Sequence, residues 1–166
     1  MTSRTEFTGD YSSQTHDDLM SAIDFGLEML LGKRLAKNIT LDVDITDLSE
    51  EGIEGEALIV DDDARPRWFE IRLDSGLDRR GMVENMMHEL VHVKQYARKE
   101  LVQGGLRIDG RGIRLMKTKW MFEDYAVEGV DYWDLPWEIE AYGRQLGLFI
   151  RWVASRDEVD LEDWQI

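Results

Sequence analysis

The feature that most constrains this chain is the segment of residues 82–101, which contains the motif HELVH. Its apolar residues recur at helical spacing, so we predict a single helix. Residues four apart lie above one another on one helix face, so His88 and His92 can point their imidazoles at the same ion. Glu89 is rotated from His88 by about 100°, but it lies close enough to hydrogen-bond a water on that ion. This is the spacing of two zinc ligands in a metal-dependent hydrolase.

A helical wheel places both histidines on the polar side of the predicted helix. Asn85 and Gln95 share that side, whereas Met86, Leu90 and Val93 lie on the opposite arc. The alternative interpretation is a pair of core histidines that bind nothing. The chain has only three histidines, and two of them stand four apart with a glutamate between them. We therefore favour a metal site over that alternative.

Composition narrows the choice of ligands and partners. The chain of 166 residues contains no cysteine, which fits a reducing compartment and leaves histidine and carboxylate groups as zinc ligands. The net charge of −15 disfavours nucleic acid as a partner and is compatible with basic substrates, although an acidic surface that only maintains solubility is the simpler explanation. No apolar run approaches the roughly 20 residues of a membrane span, and no signal peptide is recognisable. We therefore expect a cytoplasmic protein without a membrane partner.

Three short segments have the period-two alternation of half-buried strands. They are residues 39–45, 57–60 and 68–73. Because short links join them, we predict a small antiparallel three-stranded meander packed on the HELVH helix, in an α+β fold. The domain should cover residues 15–156, and residues outside it should form a loose N-terminal tail (1–14) and an acidic C-terminal tail (157–166).

Two further helices and a hairpin complete the predicted domain. The first helix covers about residues 16–35, with Thr15 and Asp18 resembling a capping box. The glycine-rich segment 104–120 predicts a hairpin or flap over the metal helix. Pro136 is well placed in the first turn of a last helix, which should extend to about residue 155.

The third metal ligand should be a carboxylate from another element. Catalytic zinc usually has three protein ligands and one open position, and His16 lies at the frayed start of the first predicted helix. Glu138 and Glu140 both begin the last helix, but the wheel places Glu138 at the centre of the apolar arc and Glu140 beside Arg144 in an exposed pair. A carboxylate on an apolar face is costly unless a cation neutralises it. We therefore predict Glu138 as the ligand, the alternative being that it caps its own helix.

The HELVH helix, followed by PWEIEAYG on a later helix, resembles the zincin metallopeptidases and their gluzincin-type arrangement of two histidines and a glutamate. The short chain with PWEIEAYGR also looks like small predicted metallopeptidases encoded by bacteriophages, which would act in the host cytoplasm. The resemblance covers residues 68–153. It implies Zn²⁺ held by His88, His92 and Glu138, with Glu89 as general base.

The function that the resemblance implies is hydrolysis of peptide bonds by a zinc-bound water that Glu89 activates. A peptide or protein substrate would lie along an edge strand, most naturally residues 68–73. The transition-state donor stays open among Tyr125, Tyr132 and Tyr142, each of which could equally be a packing residue. The alternative function is a zinc-stabilised binding or regulatory protein on the same scaffold, in which a fourth protein ligand would close the site.

Overall fold

The fold is taken from a computed structural model that describes residues 4–61, 63–109, 112–156 and 164. It has the α+β class that the sequence predicted. The larger elements are β1 (Arg4–Gly9), α1 (Ser13–Leu31), α2 (Lys33–Ala36), β2 (Thr40–Thr46), β3 (Gly55–Ile59), β4 (Trp68–Asp74) and α3 (Arg79–Ala97). After them come β5 (Leu101–Val102), β6 (Gly105–Asp109), β7 (Gly112–Met116), β8 (Lys119–Trp120), β9 (Glu123–Asp124), a 3₁₀ turn (Tyr132–Asp134) and α4 (Pro136–Ala154).

The main sheet has four strands in the order β1-β2-β4-β3. Strands β1, β2 and β4 are parallel, and only β3 is antiparallel to its neighbour β4. The predicted three-stranded antiparallel meander is therefore wrong. The chain leaves β2, forms β3 at the far edge and returns through β4, so β2 and β4 become parallel neighbours. Alternation predicted each strand correctly, but it says nothing about the order or direction of strands.

Strand β1 contradicts the prediction of a loose tail, at least for residues 4–9. Its side chains are mostly polar, and Phe7 is the one that packs against the core. Such a strand has little hydrophobic signal, because its backbone pairing with β2 holds it in place. The strand ends at Gly9, which has φ +96°; a Cβ there would lie 1.9 Å from the Ile45 carbonyl oxygen, so only glycine fits.

Helix α1 begins earlier and ends earlier than predicted. Ser12 is its N-cap and accepts a hydrogen bond from the Thr15 backbone N–H at 3.0 Å, so the expected box of Thr15 and Asp18 is replaced by a cap three residues upstream. Gly32, with φ +78°, ends the helix, and the predicted C-terminal part becomes the separate turn α2.

Helix α3, which carries HELVH, is the centre of the core. It packs on β3 and β4 with one side and on α1 and α4 with the other. Every residue from 86 to 97 is therefore buried, including the polar Gln95, which is 0% exposed. The predicted polar face exists, but α4 covers it. Among the described residues, no helix is long and apolar enough to cross a membrane.

The hairpin predicted in residues 104–120 is present as β6 and β7, which pair antiparallel from Gly105 and Met116. Its expected Asp-Gly turn lies partly outside the described residues. Of the predicted acidic tail, only Trp164 is described. It is 2% exposed and packs against Phe149 and Trp152, with ring centroids 5.7 and 5.1 Å away.

Trp164 also connects the C-terminal residues to the start of α3. The Arg79 guanidinium lies 4.1 Å from its ring centroid, and Arg79 Nε donates to the buried Asp18 carboxylate at 2.7 Å. We expect Trp164→Ala to lower the free energy of unfolding by about 3–5 kcal/mol, the usual cost of emptying a buried tryptophan site. Urea unfolding measures this, with Trp133→Ala, at a 62% exposed tryptophan, as the control. If Trp164→Ala lowered the free energy of unfolding no more than Trp133→Ala, Trp164 would not stabilise the fold in this way.

Candidate metal centre

Three side chains from two helices converge on one point. His88 and His92 project from α3, and Glu138 projects from the first turn of α4. The Nε2 atoms of the two histidines are 3.2 Å apart, and Glu138 Oε2 lies 3.4 Å from one and 3.5 Å from the other. All three side chains are buried. The spatial convergence expected from the sequence is therefore present, and this group could hold a metal ion.

The size of this triangle fits a zinc ion. Nitrogen and oxygen ligands of tetrahedral zinc lie about 2.0–2.1 Å from the metal, which places neighbouring ligand atoms about 3.3–3.4 Å from each other. The three observed separations bracket that value. A point equidistant from the three atoms is thus at ligand distance from all of them.

The hydrogen bonds of the two imidazoles also fit a cation. His88 Nδ1 lies 2.8 Å from Gln145 Oε1, and His92 Nδ1 lies 2.9 Å from Gln95 Oε1. Gln95 Nε2 donates to the Trp137 carbonyl at 2.9 Å, which fixes its Oε1 as the atom facing His92. With a hydrogen on each Nδ1, each Nε2 is the atom that can bind a metal; in the metal-free protein a proton on Nε2 takes that place and bonds to Glu138. Two lone pairs and a carboxylate facing one another are costly unless a cation lies between them.

Glu138 reaches the site because of its place in α4. The helix begins after Leu135 without a side-chain cap, so Glu138 does not cap its own helix, contrary to the alternative considered from the sequence. The wheel placed Glu138 correctly on the buried side. Ala141 lies to one side of it and Phe149 and Val153 to the other, and all three are buried, whereas Ile139, about 100° away, is 57% exposed. Glu138 therefore lies within the buried face of α4, which packs on α3.

Glu140 has more partners than the predicted exposed pair. The bond with Arg144 is present at 2.9 Å, but Lys94 Nζ also donates to Glu140 at 2.6 Å and Gln95 Nε2 at 3.0 Å. Its side chain is 15% exposed. Gln95 thus connects His92 on α3 to the same turn of α4 that carries Glu138.

Burial and hydrogen bonding shift the pKa values of the site. Burial by itself would raise the pKa of Glu138, but its bonds with both imidazoles and with the Tyr132 hydroxyl outweigh it, so the pKa falls well below the usual range. Burial opposes protonation of His92, yet its contacts with Glu138 and Glu89 raise its pKa. Glu138 is therefore held as a carboxylate, the form that binds a metal.

Glu89 lies next to the triangle and is 4% exposed. Burial raises its pKa to about 7, although the two neighbouring histidines oppose this shift. Its Oε2 has no hydrogen-bond partner in the described part of the chain. A buried carboxylate oxygen that lacks a protein donor and lines an open cleft is suited to accept a proton from a water there.

Of the three candidate tyrosines and His16, two tyrosines contact the converging side chains and the other two residues do not. Tyr132 donates from its hydroxyl to Glu138 Oε2 at 2.7 Å, and the Tyr142 ring packs edge-on against His88 at 4.4 Å between centroids. Tyr125 packs on Trp137 and does not line the cleft. His16 packs against the Phe7 ring, at 4.9 Å, and is not part of the cluster.

A cleft of about 790 Å³ opens over the three side chains. One wall is β3 with the residues just before it, and the other contains Tyr132, Trp133 and Tyr142. The predicted edge strand, residues 68–73, is wrong, because β4 lies between β2 and β3. The edge strand at the cleft is β3, Gly55–Ile59. The short, partly polar β3 gave no sign in the sequence that it lies at the edge.

No protein-family model, curated protein or solved structure matches this chain. The chemistry of the site therefore has to be inferred from its own residues.

Proposed function

We propose that this protein is a zinc-dependent peptidase of the gluzincin type among the zincins, with His88, His92 and Glu138 as ligands. The observation that carries the proposal is the triangle of Nε2, Nε2 and Oε2 atoms with sides of 3.2 to 3.5 Å, at the floor of an open cleft. A buried glutamate, Glu89, stands beside that triangle with a free oxygen. The combination suits hydrolysis better than simple metal storage, because it joins a metal, a base and access for a substrate.

His88, His92 and Glu138 would hold a zinc ion, which would supply a Lewis acid to polarise a carbonyl and to make water more acidic. Glu89 accepts the proton of the attacking water and then donates it to the leaving amine. Gln95 and Gln145 keep the two imidazoles in the tautomer that leaves Nε2 unprotonated. The protein thereby contributes a fixed ligand geometry and a positioned proton carrier.

The substrate backbone lies along β3 in this proposal. One side of β3 pairs with β4, and the residues 55–58 line the cleft on its other side. An extended peptide could add to this free edge through main-chain hydrogen bonds, which would hold a scissile carbonyl near the metal. Gly55 would leave room there, since a Cβ at that position would lie only 3.1 Å from Glu89 Oε1.

The alternative is a binding or regulatory protein with a structural zinc ion. A structural site is closed by four protein ligands. In the part of the chain that the structure describes, three donors converge and His16 packs elsewhere. Three donors leave one position open for water, which favours the peptidase over the structural site.

The proposal is tested by zinc analysis and by hydrolysis of a mixed peptide library with the full chain. We expect one zinc ion per chain and peptide cleavage that stops with a chelator and returns when zinc is restored. Protein that binds stoichiometric zinc but leaves every peptide and denatured protein intact would favour the alternative instead.

Among the three candidate tyrosines, Tyr132 is the one whose hydroxyl reaches the ligand set. We expect Tyr132→Phe to keep zinc and the fold but to lower kcat by about 10²-fold, the effect of losing one donor to the developing oxyanion. Tyr125→Phe, outside the cleft, is the matched control. Steady-state kinetics would rule out this role if kcat were unchanged and only KM rose.

A further inference from the structure

The cleft has an unusual charge composition. Its lining contains four glutamates, Glu54, Glu56, Glu89 and Glu138, and no lysine or arginine among the residues that the structure describes. A divalent ion would offset Glu89 and Glu138. Glu56 pairs with Arg72, which it shares with Glu51 outside the cleft. Glu54 is the lining glutamate that has no such partner among the described residues.

Glu54 is held in place at the rim. Asn85 Nδ2 donates to Glu54 Oε2 at 3.1 Å and to the Gly81 carbonyl at 3.0 Å. Asn85 lies about one helical turn before His88 on α3, so Glu54 is bound on the side of the metal ligands towards the start of α3. Glu54 is exposed and forms no ion pair with any described residue. It is therefore an exposed carboxylate, held by an amide donor, that no described cation neutralises.

The opposite wall offers a second kind of contact for a cation. Trp133 is 62% exposed and Tyr142 is 41% exposed, and their rings pack together at 5.0 Å between centroids. Exposed aromatic faces attract ammonium and guanidinium groups and also pack against the aliphatic part of a long side chain. Large exposed aromatic rings in a cleft are otherwise unfavourable in water.

Glu89 adds a third negative feature to the same cleft. Glu89 lines the cleft and is 4% exposed, and its buried Oε2 lacks a donor among the described residues. The net charge of −15 gives the whole molecule a field that attracts positive ligands. The local and the overall electrostatics therefore select ligands of the same sign.

From these contacts we propose that the substrate is a peptide segment carrying a lysine or arginine side chain, whose charge lies at Glu54. The long aliphatic stem of that side chain can lie against Trp133 or Tyr142. The word substrate rests on the proposed peptidase function. The preference for a cation is a property of the cleft itself, and it can be measured as peptide binding without cleavage.

The test uses the Glu89→Gln variant of the full chain, loaded with zinc, so that peptides bind without being cleaved. The probes are N-acetylated, C-amidated eight-residue peptides that differ at one scanned position, which is arginine, norleucine or glutamate. Fluorescence anisotropy at low salt measures Kd. We expect the best arginine peptide to bind roughly three- to fivefold more tightly than its norleucine counterpart, the size of one exposed charge pair. The difference should shrink as salt rises.

Variants at Glu54 identify the residue responsible. Adding Glu54→Gln should remove most of the arginine preference, and Glu54→Lys should reverse it in favour of the glutamate peptide. Asp17→Asn, at an 82% exposed aspartate outside the cleft, removes the same charge and should leave the preference unchanged. An equal effect of Asp17→Asn would reduce the preference to net charge and overturn the inference.

The outcomes separate this inference from the proposed function. Equal Kd values for arginine and norleucine peptides, or a preference that survives Glu54→Lys, overturn the inference even if the wild-type protein cleaves peptides. A Glu54-dependent preference in a protein that cleaves nothing supports the inference and rejects the peptidase. The same peptides made without the N-acetyl group test the terminal amine, and tight binding that appears only with them would overturn the side-chain assignment.

Discussion

Replacing Glu89 by glutamine should abolish peptide hydrolysis while one zinc ion per chain stays bound. Glutamine has nearly the same shape as glutamate but cannot accept a proton at this point of the reaction. General base catalysis typically contributes about 10²- to 10⁴-fold, so kcat should fall by at least that factor. The three atoms of the metal triangle belong to other residues, so the zinc content should not change.

The matched control is Glu84→Gln on the same helix. Glu84 forms an ion pair with Arg80 four residues earlier and does not line the cleft. This substitution should leave kcat within about twofold, because a surface pair of this kind contributes only tenths of a kcal/mol. Turnover by Glu89→Gln at the rate of the control would remove Glu89 from the mechanism.

A third variant, Glu89→Asp, distinguishes chemistry from packing. Aspartate keeps the carboxylate but withdraws it by one methylene, so it should retain partial activity if proton transfer is the role of this position. Loss of zinc in any of these variants, seen by metal analysis, would instead assign Glu89 to the integrity of the site.

The candidate metal site was predictable from the sequence because two of its three side chains are local. A spacing of four residues on one helix fixes the relative position of His88 and His92 whatever the rest of the fold does. Glu138 required a further step, the cost of an unpaired carboxylate on an apolar helix face. That argument predicted the residue that the structure places beside the two histidines.

The two supporting glutamines were not assigned a role from the sequence. The wheel placed Gln95 on the histidine side of α3, and Gln145 lies two turns after Glu138 on the same side of α4. Nothing in the sequence distinguishes such a glutamine from an ordinary polar residue. The contact of Gln145 with His88, and those of Gln95 with Trp137 and Glu140, depend on how α3 packs against α4.

The sheet was predicted strand by strand but not as a whole. The alternating segments gave β2, β3 and β4, whereas β1 lacked an apolar pattern and was missed. Strand order is decided by pairing between distant segments, and a short link does not guarantee that consecutive strands pair. For function the consequence is direct: the edge strand beside the candidate metal site is β3 instead of β4.

His88→Ala should lower zinc affinity far more than any change outside the ligand triangle. The remaining atoms, His92 Nε2 and Glu138 Oε2, are 3.5 Å apart and leave two open positions, so the variant should bind zinc weakly. Gln145→Ala provides the comparison, because it removes only the acceptor that orients the His88 ring. Loss of such an outer partner typically costs about 10- to 100-fold in affinity, and His88→Ala should exceed this range.

The same variants can be compared through stability. A ligand that binds only the folded state stabilises it by about 2.7 kcal/mol when its concentration is 100 times Kd. Zinc should therefore raise the urea midpoint of the wild type strongly and that of Gln145→Ala less, and it should leave that of His88→Ala unchanged. Competition with a chromophoric chelator gives the affinities. If His88→Ala and the wild type gained the same stability from zinc, the ion would be bound elsewhere, because no site built on this triangle could lose a vertex without losing affinity.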